Sequence, residues 1–159
     1  MGSLLLGLFW PGLAAANMNF YGTLIAGPQC TVSDKGAQIR VGFGSLQPNR
    51  IDGEQYRQPI PYQIKCPGLQ SSKLTWKMRL TFKGTPVDFD QALLGTNVRG
   101  LAIRLLLDDV PLAINEPRQI SLDSLQKPPL FEAVPVKKAG VQLPVREFSA
   151  SGLLLVELY

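Results

Sequence analysis

The sequence predicts one all-β domain, a sandwich of short strands, and three observations carry that prediction. Residues 73–83 alternate Leu74, Trp76, Met78, Leu80 and Phe82 with Lys73, Thr75, Lys77, Arg79, Thr81 and Lys83, which puts one face in a core and the other in water. Further alternating or apolar runs follow at short intervals, separated by Gly, Pro and Asp-rich turns. Helical periodicity never exceeds one turn, and a chain of 159 residues without repeat or linker allows one domain with a sizeable core.

Taken in order, residues 18–26 alternate Met18, Phe20, Gly22, Leu24 and Ala26 against Tyr21, Thr23 and Ile25. A glycine inside such a pattern marks a weakened strand or a place where another group approaches closely. Residues 38–44 set Ile39, Val41 and Phe43 against Gln38 and Arg40, a half-buried strand. Gly42 and Gly44 lack the third glycine and the following helix of a nucleotide loop, so they read as a bulge or strand end. Residues 45–58 form a polar loop marked by Pro48, Asn49, Asp52 and Gly53. Residues 58–66 place Ile60, Tyr62, Ile64 and Cys66 on one face, with Pro59 and Pro61 confining the start to an edge.

After Gly84, Thr85 and Pro86 end the 73–83 strand, residues 98–107 form another, with Leu101, Ile103, Leu105 and Leu107 on one side. Asp108 and Asp109 turn the chain into a short return over residues 111–114, and residues 128–137 are a proline-rich strand. One helical turn fits residues 88–97 and another residues 121–126. Beyond the turn at 138–140, the final strand carries Phe148, Ala150, Gly152, Leu154, Val156 and Leu158 on one face. An apolar strand at the end of a chain needs neighbours on both edges, or it templates pairing with another chain.

Composition narrows the function. The formal net charge of +4 is spread singly along candidate strands, and no basic run or helix offers a phosphate footprint, so no nucleic-acid partner is expected. Histidine is absent, which removes the common catalytic triads, and two cysteines without histidine are too few for a structural zinc site. Asp88 with Asp90 and Asp108 with Asp109 read as solvated turns, while Trp76 and Tyr62 read as core members of clean strand faces rather than sugar-stacking platforms. No enzyme, metal or cofactor is expected.

Residues 1–33 hold no charged side chain. Leu4, Leu5, Leu6, Leu8, Phe9 and Trp10 followed by Pro11, Gly12 and the run Ala14–Ala16 have the form of a secretory leader over residues 1–16, with Asn17 the first exported residue. The apolar run is too short, and too interrupted, for a stable membrane span. Export agrees with one disulfide between Cys30 and Cys66, worth roughly 4 kcal/mol in the chain-entropy model; two buried free thiols are the alternative.

The pattern resembles the pilin subunits of the bacterial chaperone–usher pathway. The resemblance lies in Phe20-Tyr-Gly-Thr-Leu-Ile-Ala-Gly-Pro-Gln-Cys-Thr-Val-Ser33, in the second cysteine at Cys66, and in Leu80-Thr-Phe-Lys-Gly84, the block from Gly100 to Asp109 and Phe148-Ser-Ala-Ser151, all in family order. It implies an incomplete immunoglobulin-like β-sandwich lacking its last strand, completed by a donor strand from another molecule. On that basis residues 17–29 are a donor-strand extension acting through Met18, Phe20, Gly22 and Leu24, and residues 30–159 are the pilin domain. The acceptor groove and chaperone contact fall on Phe148, Ala150, Gly152, Leu154, Val156, Leu158 and Tyr159. Implied partners are a periplasmic chaperone, an outer-membrane usher and neighbouring pilin subunits, on a route through the periplasm to a surface fimbria. The short extension suits a minor subunit. Two positions depart from the family: Leu158 stands where an aromatic residue is usual, and Val145, Arg146 and Glu147 replace a glycine ahead of the final strand. The rival reading is a self-contained immunoglobulin-like binding module or tip adhesin, in which residues 18–26 would pair with the chain's own last strand.

Overall fold

The computed structural model describes Met18, residues 20–71 and residues 74–159. The leader expected over residues 1–16, with Asn17, Asn19, Ser72 and Lys73, lies outside the described residues. Strands run β1 (Thr31–Ser33), β2 (Gln58–Pro59), β3 (Gln63–Lys65), β4 (Met78–Gly84), β5 (Pro86–Val87), β6 (Asp90–Gly95), β7 (Leu101–Leu107), β8 (Val110–Leu112), β9 (Arg118–Ile120), β10 (Phe131–Lys137) and β11 (Gly152–Leu158). A six-stranded sheet has the order β2-β10-β7-β6-β5, with β8 on the same edge of β7 as β6, and a three-stranded sheet has the order β11-β4-β9. β1 and β3 form a separate ribbon, and the register throughout is antiparallel.

The core lies where these sheets face one another. Met78 and Leu80 of β4 are fully buried, and with Val156 of β11 they meet Ile103, Leu105 and Leu107 of β7 and Phe131 and Ala133 of β10. A second apolar layer of Val87, Leu93 and Ala102 covers the outer face of the larger sheet, so β7 is buried on both sides. That explains its near-continuous run of apolar residues. The β7–β8 hairpin closes through Asp108 (φ 49°) and Asp109 (φ 63°), the pair of positive φ values a two-residue hairpin requires. The Asp108 carboxylate accepts from the Leu130 N–H at 2.7 Å, and the Leu130 carbonyl accepts from the Asp108 N–H at 2.8 Å, pinning the turn to the start of β10. Cys30 and Cys66 are disulfide-bonded, one residue ahead of β1 and one after β3, so the ribbon is closed at that end and the free-thiol alternative is excluded.

Several expectations change. Residues 38–44 keep their alternation, with Ile39, Val41 and Phe43 half-buried and Arg40, Gly42 and Gly44 exposed, but they form no ladder because no strand lies beside them among the described residues. Residues 88–97 hold β6 rather than a helical turn: Leu93 and Leu94 are buried toward opposite layers, which no alternation signals. The turn at 121–126 is a 3-10 turn over Leu122–Leu125, capped by the Ser121 hydroxyl. The ladder of β4 begins at Met78, so Leu74 is exposed and Trp76 only half-buried; Trp76 packs instead against the backbone of Gly27. The final ladder begins at Gly152, leaving Phe148–Ser151 without strand partners. β1 and β9 are too short and too polar to stand out in the sequence.

Candidate functional site: a groove beside the last strand

β11 pairs with β4 along its full length, from Gly152↔Gly84 to Leu158↔Met78, and mutual backbone hydrogen bonds of 2.9 Å between Lys77 and Tyr159 extend the ladder by one pair. Among the described residues its other edge carries no ladder. Alongside the last stretch of chain runs a groove of about 810 Å3. One wall is the unladdered segment carrying Ile39, Val41 and Phe43, the opposite wall is the chain from Leu143 to Gly152 with Leu154, and the floor includes Ile60, Phe82, Leu94, Ile103, Leu105, Phe131 and Ala133.

Each wall has a physical reason to be where it is. Ile39, Val41 and Phe43 sink toward the core because every second residue of this extended segment faces inward. On the other side the Ser149 N–H donates to the Asn97 side chain at 2.8 Å and the Ser149 carbonyl accepts from the Asn97 N–H at 3.1 Å, while Phe148 packs against both the main core and the Ile51, Val98, Leu101 cluster. At the start of β11, Gly152 leaves room for the Phe82 ring: a Cβ there would stand 2.3 Å from Phe82 Cζ. Phe82 in turn leans on Phe131 at 6.4 Å, and Tyr62 meets Phe131 edge-on at 5.8 Å. The Tyr62 hydroxyl donates to the Pro129 carbonyl at 2.8 Å, and burial pushes its phenol well above the ordinary range.

The expected groove face therefore divides. Phe148, Ala150, Gly152 and Leu154 line the groove, Val156 is buried in the core, and Leu158 packs against the core's edge. Tyr159 lies on the outer face, its ring under the Arg79 guanidinium at 5.3 Å and its hydroxyl near the Gln119 side chain at 3.4 Å. The residues expected to face a partner's groove stand in solvent: Phe20 is 88% and Leu24 103% exposed, Met18 is exposed, and nothing lies within 4 Å of where a Gly22 Cβ would be. Sequence reasoning missed the wall of Ile39, Val41 and Phe43, whose alternation it read as an ordinary strand face.

Charge sits at the periphery. Arg57 reaches Asp109, Glu132 and Glu54, and the Asp109 carboxylate raises the pKa of its guanidinium. The Asp52 carboxylate accepts the backbone N–H groups of Gln55 and Glu54, which hold its pKa below the usual range. These contacts brace the 52–57 loop. Among the described residues no group of His, Cys, Asp and Glu could hold a metal ion, and no helix is long and apolar enough to cross a membrane.

Comparison with known proteins agrees with this geometry. The family of fimbrial proteins matches residues 18–158. The chain is 34% identical over 144 residues to the fimbrial-like protein YfcQ of Escherichia coli (strain K12), covering 91% of this chain and 88% of that protein. Its fold is similar to the P pilus rod subunit PapA, with TM-score 0.56 and 20% identity over 88% of this chain and 98% of that one. It is also similar to the P pilus adaptor subunit PapF, with TM-score 0.59 and 20% identity over 84% of this chain and 98% of that one. This chain belongs to the fimbrial protein family, whose members are structural, non-enzymatic proteins.

Proposed function

We propose that the chain polymerises by strand addition. The groove between residues 38–46 and 143–154 accepts an extended segment from another molecule, first from a periplasmic chaperone and then from the N-terminal extension of a neighbouring subunit delivered at an outer-membrane usher. Residues 17–29 are in turn the donor for the next groove, with Met18, Phe20, Gly22 and Leu24 facing inward, and residues 30–159 are the domain that receives. Phe148, Ala150, Gly152 and Leu154 contact the inserted strand, while Val156, Leu158 and Tyr159 hold the wall against β4 and present the end of the strand to the chaperone. The shortness of the extension favours a minor subunit in the surface fimbria.

One observation carries this reading. A groove with an apolar floor runs beside a strand edge that is unladdered among the described residues, while a neutral, alternating segment of the same chain stands in water. Each is what the other would bury, through main-chain hydrogen bonds along the edge and alternate side chains in the groove. A self-contained binding module would instead have residues 18–26 seated against its own last strand.

The test is to refold the exported chain with its disulfide intact, alone and with a peptide of a subunit's N-terminal extension. The chain alone should melt at low temperature and gain greatly from the peptide. A cooperative, high-melting monomer indifferent to peptide would overturn the proposal.

A further inference from the structure

We propose that Phe43 and Phe148 form a latch across the empty groove, and that an incoming strand must open it by moving Phe43. The inference rests on the strand-addition reading and concerns how the groove is entered. Phe43 belongs to one wall and Phe148 to the other, yet their ring centroids are 5.8 Å apart at a tilt of 40°. Two strands that flank a third are separated by about 9.5 Å, twice the spacing of neighbouring strands. Both rings point inward against the main core, so they occupy space that the inward-facing side chains of an inserted strand would enter.

The two halves of the latch are unlike. Phe148 is held: it packs against two apolar clusters, and its neighbour Ser149 is bonded to Asn97 through both its N–H and its carbonyl. Phe43 packs against the main core alone and stands between Gly42 and Gly44, both with open space where a Cβ would be, and Gly44 has φ +66°, a conformation glycine adopts at little cost. A wall segment without ladder hydrogen bonds, hinged on two glycines, can swing outward while the opposite wall stays fixed. Phe43 is therefore the moving leaf and Phe148 the fixed one, and the rate of strand uptake depends on how readily the ring pair parts.

The experiment measures stopped-flow uptake of a labelled peptide of residues 18–29 by the exported chain, disulfide intact, as wild type and as Phe43→Leu. Leucine keeps the wall apolar but cannot make the ring contact. Uptake should be about two- to tenfold faster in the variant, the range that loss of one aromatic pair provides; an equal or slower rate overturns the latch. The wild type supplies a second readout that survives if Phe43→Leu does not fold. Proton NMR cross-peaks between the two rings should be present without peptide and lost with it, and their persistence in the complex overturns the latch while leaving strand addition intact. If neither chain takes up this peptide, the latch as a gate for the chain's own extension is overturned, while the melting test with a neighbouring subunit's extension decides strand addition separately.

Discussion

Gly152→Ala should destabilise the protein far more than a small substitution in an exposed position normally does. An added Cβ would lie 2.3 Å from Phe82 Cζ, 2.4 Å from Phe82 Cε1 and 2.6 Å from the Lys83 carbonyl oxygen. Carbon atoms pack best at about 3.5–4.0 Å, so the overlap exceeds about 1 Å. Rotating the Phe82 ring would relieve the first two contacts, but the ring leans on Phe131, so its escape runs into the groove floor. The contact with Lys83 sets a Cβ fixed by the backbone against a backbone carbonyl and requires β4 and β11 to part locally. Overpacking of this kind costs about 1–3 kcal/mol, or roughly 2–4 °C of melting temperature per kcal/mol for a chain of this length. Denaturant unfolding of the wild type, Gly152→Ala, Phe82→Leu and the double variant closes the cycle. Because leucine lacks the two ring atoms, the Gly152→Ala penalty should fall by at least about 0.5 kcal/mol in the Phe82→Leu background. A neutral Gly152→Ala, or an additive cycle, would refute the idea that the Phe82 ring is seated on Gly152.

Three further outcomes are expected. Replacing Cys30 and Cys66 by serine removes a cross-link spanning 36 residues, and the lost loop-closure entropy should lower unfolding free energy by roughly 4 kcal/mol, measured by denaturant titration. Tyr62→Phe leaves the Pro129 carbonyl without its partner and should cost about 0.5–1.5 kcal/mol. The phenol's raised pKa also predicts that stability is full below its ordinary value of 10.0 and falls as pH climbs from there through the higher folded value, a decline that Tyr62→Phe should flatten. Gly22→Val should leave the subunit's own fold unchanged, since the glycine faces open space, yet block incorporation into fibres; normal assembly of that variant would remove Gly22 from the donor face.

Much of the fold was legible because alternation reports burial directly. Ile60, Tyr62, Ile64, Met78, Leu80, Leu101, Ile103, Leu105 and Leu107 were all assigned inward and are all buried. What escaped was pairing. β6 buries the adjacent Leu93 and Leu94 toward opposite layers after three exposed residues and so shows no period of two, and β9 is a three-residue edge whose position is fixed by contact with β4 rather than by its own sequence. Residues 38–44 show the converse: their alternation is real, but a ladder needs a neighbour, and that neighbour is missing among the described residues. The groove face around Phe148 followed from alternation and family resemblance together. The opposing wall could have been found from the same alternation, had an inward-facing segment beside the edge been weighed as a groove wall rather than a paired strand.

The treatment of sheet edges sets β11 apart. A bare strand edge invites pairing with other chains, and proteins blunt such edges by brevity, proline or charge. Among the described residues the other margins follow that rule. β2 and β5 are two residues long and each contains a proline, β8 is three residues with Pro111 at its centre, and β9 is three residues beginning with Arg118. β11 alone presents a seven-residue edge with no proline and no lysine, and its one charged residue, Glu157, is paired to Arg79 at 3.0 Å on the outer face. On the strand-addition proposal, a chain that blunts its other edges and leaves this one long and flanked by a groove pairs at a single place. Strand addition requires that selectivity, because a second open edge would let subunits join out of order, whereas one groove and one donor segment per chain yield a linear fibre.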